Sequence, residues 1–227
     1  MCTVVVRWHP GEPVRVLALR DELVGRDFDD PGAWWPDQPG CVGGRDRTAG
    51  GTWCVTDVAT GMTGLVLNRP ERPQADLGAP SRGVLPLLAV QHGERWPAQV
   101  DLRGMASFAL VLASPDRLAL WVHDGERLHE QELEPGTRMV TSGRAEDGKV
   151  DRFLPAFTAA GFPDGWLDLV RASEPLPDPA ALVVRGEHDG KVFATVFGQL
   201  FTARPGHLEL SWSRRPWEDE DWASASW

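Results

Sequence analysis

Residues 1–23 read MCTVVVRWHPGEPVRVLALRDEL and contain the pattern that decides the fold. The β-branched run from Cys2 to Trp8 predicts a strand, and the His9-Pro10-Gly11 sequence after it predicts a turn. Val14 to Leu19 then repeats the strand pattern. If these strands pair as a hairpin, Cys2 lies across from the neighbourhood of Leu17 to Arg20, close to the charged end of the second strand.

Cys2 is predicted to become the first residue of the mature chain, because its small side chain permits removal of Met1. A free α-amine has a pKa of about 7.7 to 8.0 and a thiol of about 8.5, so the amine can accept the thiol proton near neutral pH. Arg20 would favour the thiolate, while Asp21 would hold the α-ammonium or orient a substrate nitrogen. The alternative is that Cys2 is an inert residue opening a buried strand.

Length and composition favour one globular domain over all 227 residues. The formal net charge of −10 repels nucleic-acid phosphates and anionic lipid headgroups, so a small-molecule substrate or ligand is expected and nucleic acid is not. No stretch reaches the roughly 18 apolar residues that a membrane span needs. Early charged residues also interrupt any signal-peptide pattern, which predicts a cytoplasmic protein. The oligomeric state does not follow from the sequence.

The three cysteines, Cys2, Cys41 and Cys54, lack the spacing of a zinc site or a disulfide framework. We therefore expect no metal and no cofactor. A bridge between Cys41 and Cys54 is the minor alternative, because disulfides are rare in cytoplasmic proteins.

Beyond the hairpin, strand patterns outnumber helical patterns and predict an α+β protein with mostly antiparallel sheets. Residues 20–51, rich in Gly, Pro, Asp and Arg, predict a long loop in which Trp34 and Trp35 either pack the loop down or line a site entrance. Packing is the favoured interpretation. An acidic tail from about residue 216 is expected to be solvated or frayed. The further predicted strands are 52–57, 63–68, 107–113, 117–123, 127–133, 138–142, 193–203 and 207–211, and the predicted helices are 82–92, 147–160 and 164–172.

Several motifs occur in the order found in one known family. Met1-Cys2 precedes an apolar strand, Leu19-Arg20-Asp21-Glu22 ends the second strand, and Gly50-Gly51-Thr52-Trp53 opens the third. Asn68 then ends a strand, and Ser81-Arg82-Gly83 opens a helix. In these residues the chain resembles the NRDE family (transport and Golgi organisation protein 2-like), named for an Asn-Arg-Asp-Glu motif. The resemblance implies the four-layer αββα sandwich of the N-terminal nucleophile (Ntn) hydrolases, with Cys2 opening a central strand.

The resemblance also implies a catalytic site of Cys2, Arg20, Asp21 and Asn68. Cys2 is the expected nucleophile, and Asn68 is the expected hydrogen-bond donor to an oxyanion. The expected substrate-binding residues are Arg82, Ser142 and Trp53. Arg82 opens a helix, where a cation gains nothing from the helix dipole, and this favours a role in binding an anionic group.

Other interpretations of these residues stay open. Trp53 fits a core position better than a substrate platform. Gly50 and Gly51 fit a tight turn better than a source of oxyanion-binding amides, because glycine is most often used for its backbone freedom.

The chain departs from the family pattern at positions that bear on catalysis. Leu19 stands where the family name motif has Asn, and Val140-Thr141-Ser142 stands where the family usually has Leu-Ser-Asn after the Pro-Gly turn. An Arg expected before Thr195 is replaced by apolar Val192 or Phe193. One lost oxyanion donor can cost on the order of 10²- to 10³-fold in rate, although Ser142 offers a weaker substitute.

Three functions are therefore weighed. The first is hydrolysis or acyl transfer at a C–N bond by Cys2. The second is a non-catalytic carrier of haem or lipid, since family members have been linked to haem trafficking and lipid homeostasis; haem would require Cys2 or a histidine as axial ligand. The third is a regulatory protein that retains the fold alone.

Overall fold

The computed structural model describes residues 2–143, 148–188 and 190–227. None of the helices within these ranges is long and apolar enough to cross a membrane. The strands are β1 Thr3–Trp8, β2 Val14–Leu23, β3 Phe28–Gly32, β4 Cys41–Asp46, β5 Cys54–Asp57, β6 Met62–Asn68, β7 Phe108–Ala113, β8 Leu118–His123, β9 Leu128–Glu132, β10 Gly136–Thr141, β11 Arg185–His188, β12 Lys191–Arg204, β13 His207–Ser213 and β14 Ala223–Ser226. The α-helices are α1 Leu85–His92, α2 Lys149–Ala159 and α3 Asp164–Arg171, with 3-10 helices at Arg82–Val84 and Gly93–Gln99.

The strands form two antiparallel sheets, which confirms the α+β prediction. The first sheet has the order β10-β1-β2-β12-β13-β14, and β11 also pairs with β12. The second sheet follows the chain from β3 to β9 without a crossover. β1 lies between β10 and β2, so the strand that begins after Cys2 is not an edge strand.

The alternation of side chains along β1 explains how the core is divided. Val4 and Val6 join a buried cluster that contains residues of both sheets, including Leu65 of β6 and Val111 of β7. Val5 belongs instead to a cluster with buried side chains of α2 and α3. A third cluster joins α1 to residues of the second sheet. Each strand therefore uses its two faces for different cores, as the two-residue period of a strand requires.

The predicted β1–β2 hairpin is confirmed with the expected register. Thr3 pairs with Leu19, and Arg7 pairs with Arg15. This register carries Cys2 to the level of Arg20. The first 23 residues thus bring Cys2 to the charged end of β2.

The long loop predicted over residues 20–51 is wrong. β2 continues to Leu23, and β3 and β4 form a hairpin within the same segment. The charged end of β2 continues as a strand because it pairs with β12. Asp29 of β3 forms ion pairs with Arg45 and Arg47. β3 and β4 are held by ion pairs and contain small glycines. They therefore lack the alternation of apolar and polar residues by which strands are recognised in a sequence.

Most of the other predicted elements are confirmed within a few residues. β5 and β6 form the second hairpin, β7, β8 and β9 form the meander, and β12 and β13 form the closing hairpin. Asp147, the predicted start of the second helix, lies outside the described residues. The acidic tail, for which the sequence predicts fraying, contains β14, which pairs with β13 as an exposed edge strand.

Candidate functional site

A polar pocket of about 210 Å³ opens where the two sheets meet beside the start of β1. Cys2, Arg20 and Asp21 line it together with Asn68, Trp53 and Arg82, so the structure brings together residues that are far apart in sequence. The other lining residues are Glu22, Arg26, Asp46, Ala49, Thr52, Val66, Ser81 and Gly83.

Cys2 is partly exposed and is held through its backbone. Its nitrogen donates a hydrogen bond to Ser142 Oγ at 2.8 Å, and Ser142 N donates to the Cys2 carbonyl at 3.0 Å. Its Sγ lies 3.8 Å from the Asp21 carbonyl oxygen. Burial raises the pKa of the Cys2 thiol above its ordinary value, while Arg20 acts in the opposite direction. The removal of Met1 stays a prediction, because Met1 lies outside the described residues.

Ser142 lies beside the backbone of Cys2. It is absent from the residues that line the pocket and is buried beside the Cys2 nitrogen. Its hydroxyl accepts a hydrogen bond from the group that becomes the α-amine once Met1 is removed.

Asp21 is buried against β12, and the residue that supports it there is Thr195. Thr195 Oγ1 donates a 2.6 Å hydrogen bond to Asp21 Oδ1 and also accepts one from Val184 N at 2.9 Å. Burial raises the pKa of Asp21, and the nearby Lys149 ammonium lowers it. Thr195 holds the carboxyl group in one orientation next to Cys2.

Arg20 is the buried cation of the pocket. Its Nη2 lies 3.2 Å from Asp46 Oδ2 and 3.5 Å from Glu22 Oε2. The guanidinium carbon lies 4.3 Å from the centroid of the Trp53 ring and 5.1 Å from that of Phe28. Two aromatic rings and two carboxylates therefore fix Arg20, as cation–π and ion-pair contacts do in partly desolvated sites.

Sequence reasoning missed Asp46, which organises the rim of the pocket. Besides Arg20, it binds Arg26 at 2.7 Å and accepts hydrogen bonds from the amides of Thr48 and Ala49. An Asp that accepts amides two and three residues later is a turn signal, and it could have marked the end of a strand within the presumed loop.

Trp53 has both a core and a pocket-lining position. Its ring packs edge-on against Phe28 and Phe197 and fills the space above Gly44.

Gly50 has a φ of +71°, and its amide donates to the Asp46 carbonyl at 2.8 Å. The geometry supports the turn interpretation of Gly50.

Two of the family motifs contact each other directly. Thr52 N donates to the Gly83 carbonyl at 2.8 Å, and a Cβ on Gly51 would lie 2.4 Å from the carbonyl carbon of Gly83. Ser81 Oγ accepts a hydrogen bond from the amide of Gly83 at 3.2 Å and caps the turn that carries Arg82. The contact fixes the position of Arg82 relative to the strand that begins after Trp53.

We expect Gly51→Ala to lower the free energy of unfolding by about 1–3 kcal/mol, because the methyl group would overlap the Gly83 backbone. Urea unfolding measures the difference. Gly161→Ala is the matched control, since a Cβ at Gly161 meets no atom within 4 Å. Equal stability of the two variants would contradict the close packing of these motifs.

Thr195→Val is expected to cost about 1–3 kcal/mol of stability, because it leaves both Asp21 Oδ1 and Val184 N without the Thr195 hydroxyl. Thr195→Ser keeps the hydroxyl and should retain most of the stability. Chemical denaturation of the three proteins gives the comparison. A Thr195→Val protein as stable as the unmodified chain would show that Thr195 does not support Asp21.

Asn68 ends β6 and is exposed to the pocket. It is the only asparagine in the sequence, so no other residue of its type can supply an amide donor here.

Trp34 and Trp35 pack down the segment between β3 and β4, as favoured from the sequence. Trp34 Nε1 donates to the Asp30 carbonyl, and Trp35 Nε1 donates to that of Gly50. Neither is among the residues that line the pocket.

Cys41 and Cys54 are free and buried, so the minor alternative of a bridge between them is wrong. Burial raises the pKa of the Cys41 thiol to about 11. Within the described ranges, no three His, Cys, Asp or Glu side chains are grouped as metal ligands would be. No histidine is among the residues that line the Cys2 pocket.

Fold and site together define an α+β protein of antiparallel sheets in which Cys2 lines a polar pocket. Residues 1–160 match the family described as Transport and Golgi organisation 2 (TANGO2). The chain belongs to this family, and the resemblance to NRDE proteins is confirmed. No curated protein matches the chain.

Proposed function

We propose that the chain is an Ntn-type enzyme that uses Cys2, exposed by removal of Met1, to hydrolyse an amide or a related acyl compound or to transfer its acyl group. The observation that carries the proposal is the shared pocket of Cys2, Arg20, Asp21 and Asn68. The clusters that join α1 to one sheet and α2 and α3 to the other support a four-layer αββα arrangement of the Ntn type.

Acylation begins when the α-amine of Cys2 takes the thiol proton. Sγ then bonds to the acyl carbon, and the carbonyl electron pair moves to oxygen. Asn68 donates a hydrogen bond to this oxyanion, in the role that such side-chain amides have in acyl transfer. The C–N bond breaks when the electrons return, and the leaving nitrogen receives the proton held by the α-ammonium.

Deacylation repeats the steps with water or an amine as the nucleophile. The α-amine takes its proton, the C–S bond breaks, and the thiolate is protonated again. The Ser142 hydroxyl holds the nitrogen that acts as base. To the Asp21 carboxyl group, which Thr195 fixes in the same pocket, we assign stabilisation of the ammonium form of this nitrogen. Arg20 stabilises the thiolate by its positive charge.

Activated esters provide the direct test. With 4-nitrophenyl acetate, we expect a burst of about one 4-nitrophenolate per chain and an intact mass that increases by one acetyl group, because covalent acyl-enzyme formation gives burst kinetics. The same chain unfolded in urea controls for the intrinsic reactivity of an N-terminal cysteine. Absence of both burst and adduct from the folded chain would contradict the proposal.

A further inference from the structure

Arg82 differs from the other arginines of the pocket in having no acidic partner. Arg20 and Arg26 form ion pairs with Glu22 and Asp46 at distances between 2.7 and 3.9 Å. Among the described residues, no carboxylate lies within ion-pair distance of Arg82. Arg20 and Arg26 are thus paired with the same two carboxylates, and Arg82 is the arginine of the pocket lining that has no ion-pair partner among the described residues.

The Arg82 side chain is held in place by a hydrogen bond that uses only part of its donor capacity. Its Nη1 donates to the Ser107 carbonyl at 2.9 Å, its one side-chain hydrogen bond to the part of the chain that the structure describes. Ser107 is fully buried, and its hydroxyl is bound to the carbonyl groups of Arg69 and Arg72. A guanidinium has five N–H donors, so most of those of Arg82 are available to a ligand.

Arg82 is also partly desolvated and close to the nucleophile. Its side chain is half-buried in the same pocket wall as Cys2, and burial lowers its pKa from the ordinary value. Arginine nevertheless stays charged near neutral pH. A half-buried cation without a counter-ion gains from binding an anion, and the planar guanidinium fork matches a carboxylate.

The rest of the pocket limits the size and charge of that anion. Glu22 lies within electrostatic reach of Arg82, so a single negative charge is favoured over a double one. The volume of about 210 Å³ is below the roughly 300–1,000 Å³ of pockets for drug-sized ligands. A small monocarboxylate fits both limits better than a phosphate does.

We propose that Arg82 binds a carboxylate of the substrate, so that the chain acts on small acyl compounds with a carboxylate a few bonds from the scissile carbonyl. This inference rests on the proposed acyl chemistry of Cys2. Binding of the substrate carboxylate to Arg82 orients the scissile carbonyl group toward Cys2 Sγ, because Arg82 and Cys2 line the same small pocket.

A matched pair of esters tests the inference. Mono-4-nitrophenyl succinate has a carboxylate, and 4-nitrophenyl butyrate has a methyl group at the same place. We expect kcat/KM for acylation of Cys2 to favour the succinate ester by on the order of 10- to 100-fold, as a hydrogen-bonded ion pair allows. Arg82→Gln should reduce this ratio to about one, whereas Arg95→Gln, at an exposed position outside the pocket, should keep it.

A binding measurement separates this inference from the chemistry. In the Cys2→Ala protein, calorimetry should find succinamate bound at least tenfold more tightly than butyramide, with the difference lost when Arg82→Gln is added. Acylation of Cys2 by both esters at equal rates, or a preference that survives Arg82→Gln, would overturn the role of Arg82 alone. Selective succinamate binding without any acylation would instead support carboxylate binding by Arg82 and overturn the proposed acyl chemistry of Cys2. Neither binding nor acylation would overturn both.

Discussion

Cys2→Ala should lower the rate of acylation by an activated ester by on the order of 10⁴-fold or more, because the variant lacks the only thiol that lines the pocket. Stopped-flow detection of 4-nitrophenolate measures the burst, and mass spectrometry of the whole chain measures the adduct. The stability of the variant, determined by urea unfolding, shows that the loss does not come from misfolding.

Cys41→Ala is the matched control for this variant. Cys41 is also a free thiol, but it is buried, donates to Gln38 Oε1 at 3.4 Å, and has a raised pKa. We expect the Cys41→Ala chain to give the full burst. A burst that is retained in Cys2→Ala and lost in Cys41→Ala would assign the reaction to Cys41 and contradict the proposal.

One residue added before Cys2 should reduce the acylation rate by on the order of 10³-fold, because it converts the basic α-amine into an amide that cannot accept a proton. The comparison uses two forms of one chain, released from a cleavable tag so that either Cys2 or an added glycine is N-terminal. Both forms keep the thiol, Arg20, Asp21 and Asn68. The difference between them therefore reports the α-amine alone.

The pH dependence of the two forms adds a second criterion. The form with a free α-amine should lose activity as pH falls through the pKa of that amine, because the protonated amine is no longer a base. The extended form should follow the ionisation of the thiol, whose pKa burial raises. Equal rates and equal pH profiles would mean that the α-amine is not the general base.

The sequence predicts the part of the fold that depends on local apolar patterns. The β1–β2 register followed from a β-branched run, a Pro-Gly turn and a second apolar run, and it placed Cys2 near Arg20. The apolar pattern does not reveal the strands between Arg20 and Gly51, because β3 and β4 are held by Asp29–Arg ion pairs and by glycines on which Trp53 and Cys54 pack. Such strands lack the period that identifies half-buried strands.

The sequence motifs identify most of the residues discussed for the candidate site. They do not reveal the contacts that depend on pairing between strands far apart in the sequence. Cys2, Arg20, Asp21, Asn68 and Arg82 line one pocket, as the motif order suggested. Thr195 reaches Asp21 across 174 residues through the pairing of β12 with β2, and no local pattern encodes that contact. The position of Ser142 beside the Cys2 nitrogen likewise depends on the pairing of β1 with β10.

The position of the acyl group after reaction decides whether Cys2 is an N-terminal nucleophile. The folded chain is mixed with 4-nitrophenyl acetate, quenched in acid so that the protonated α-amine cannot capture the acyl group from sulfur, and cleaved for peptide mass spectrometry. We predict a chain without Met1 that carries one acetyl group, as a hydroxylamine-sensitive thioester, on Cys2. A chain that retains Met1, or an acetyl group on any other residue, would contradict this account.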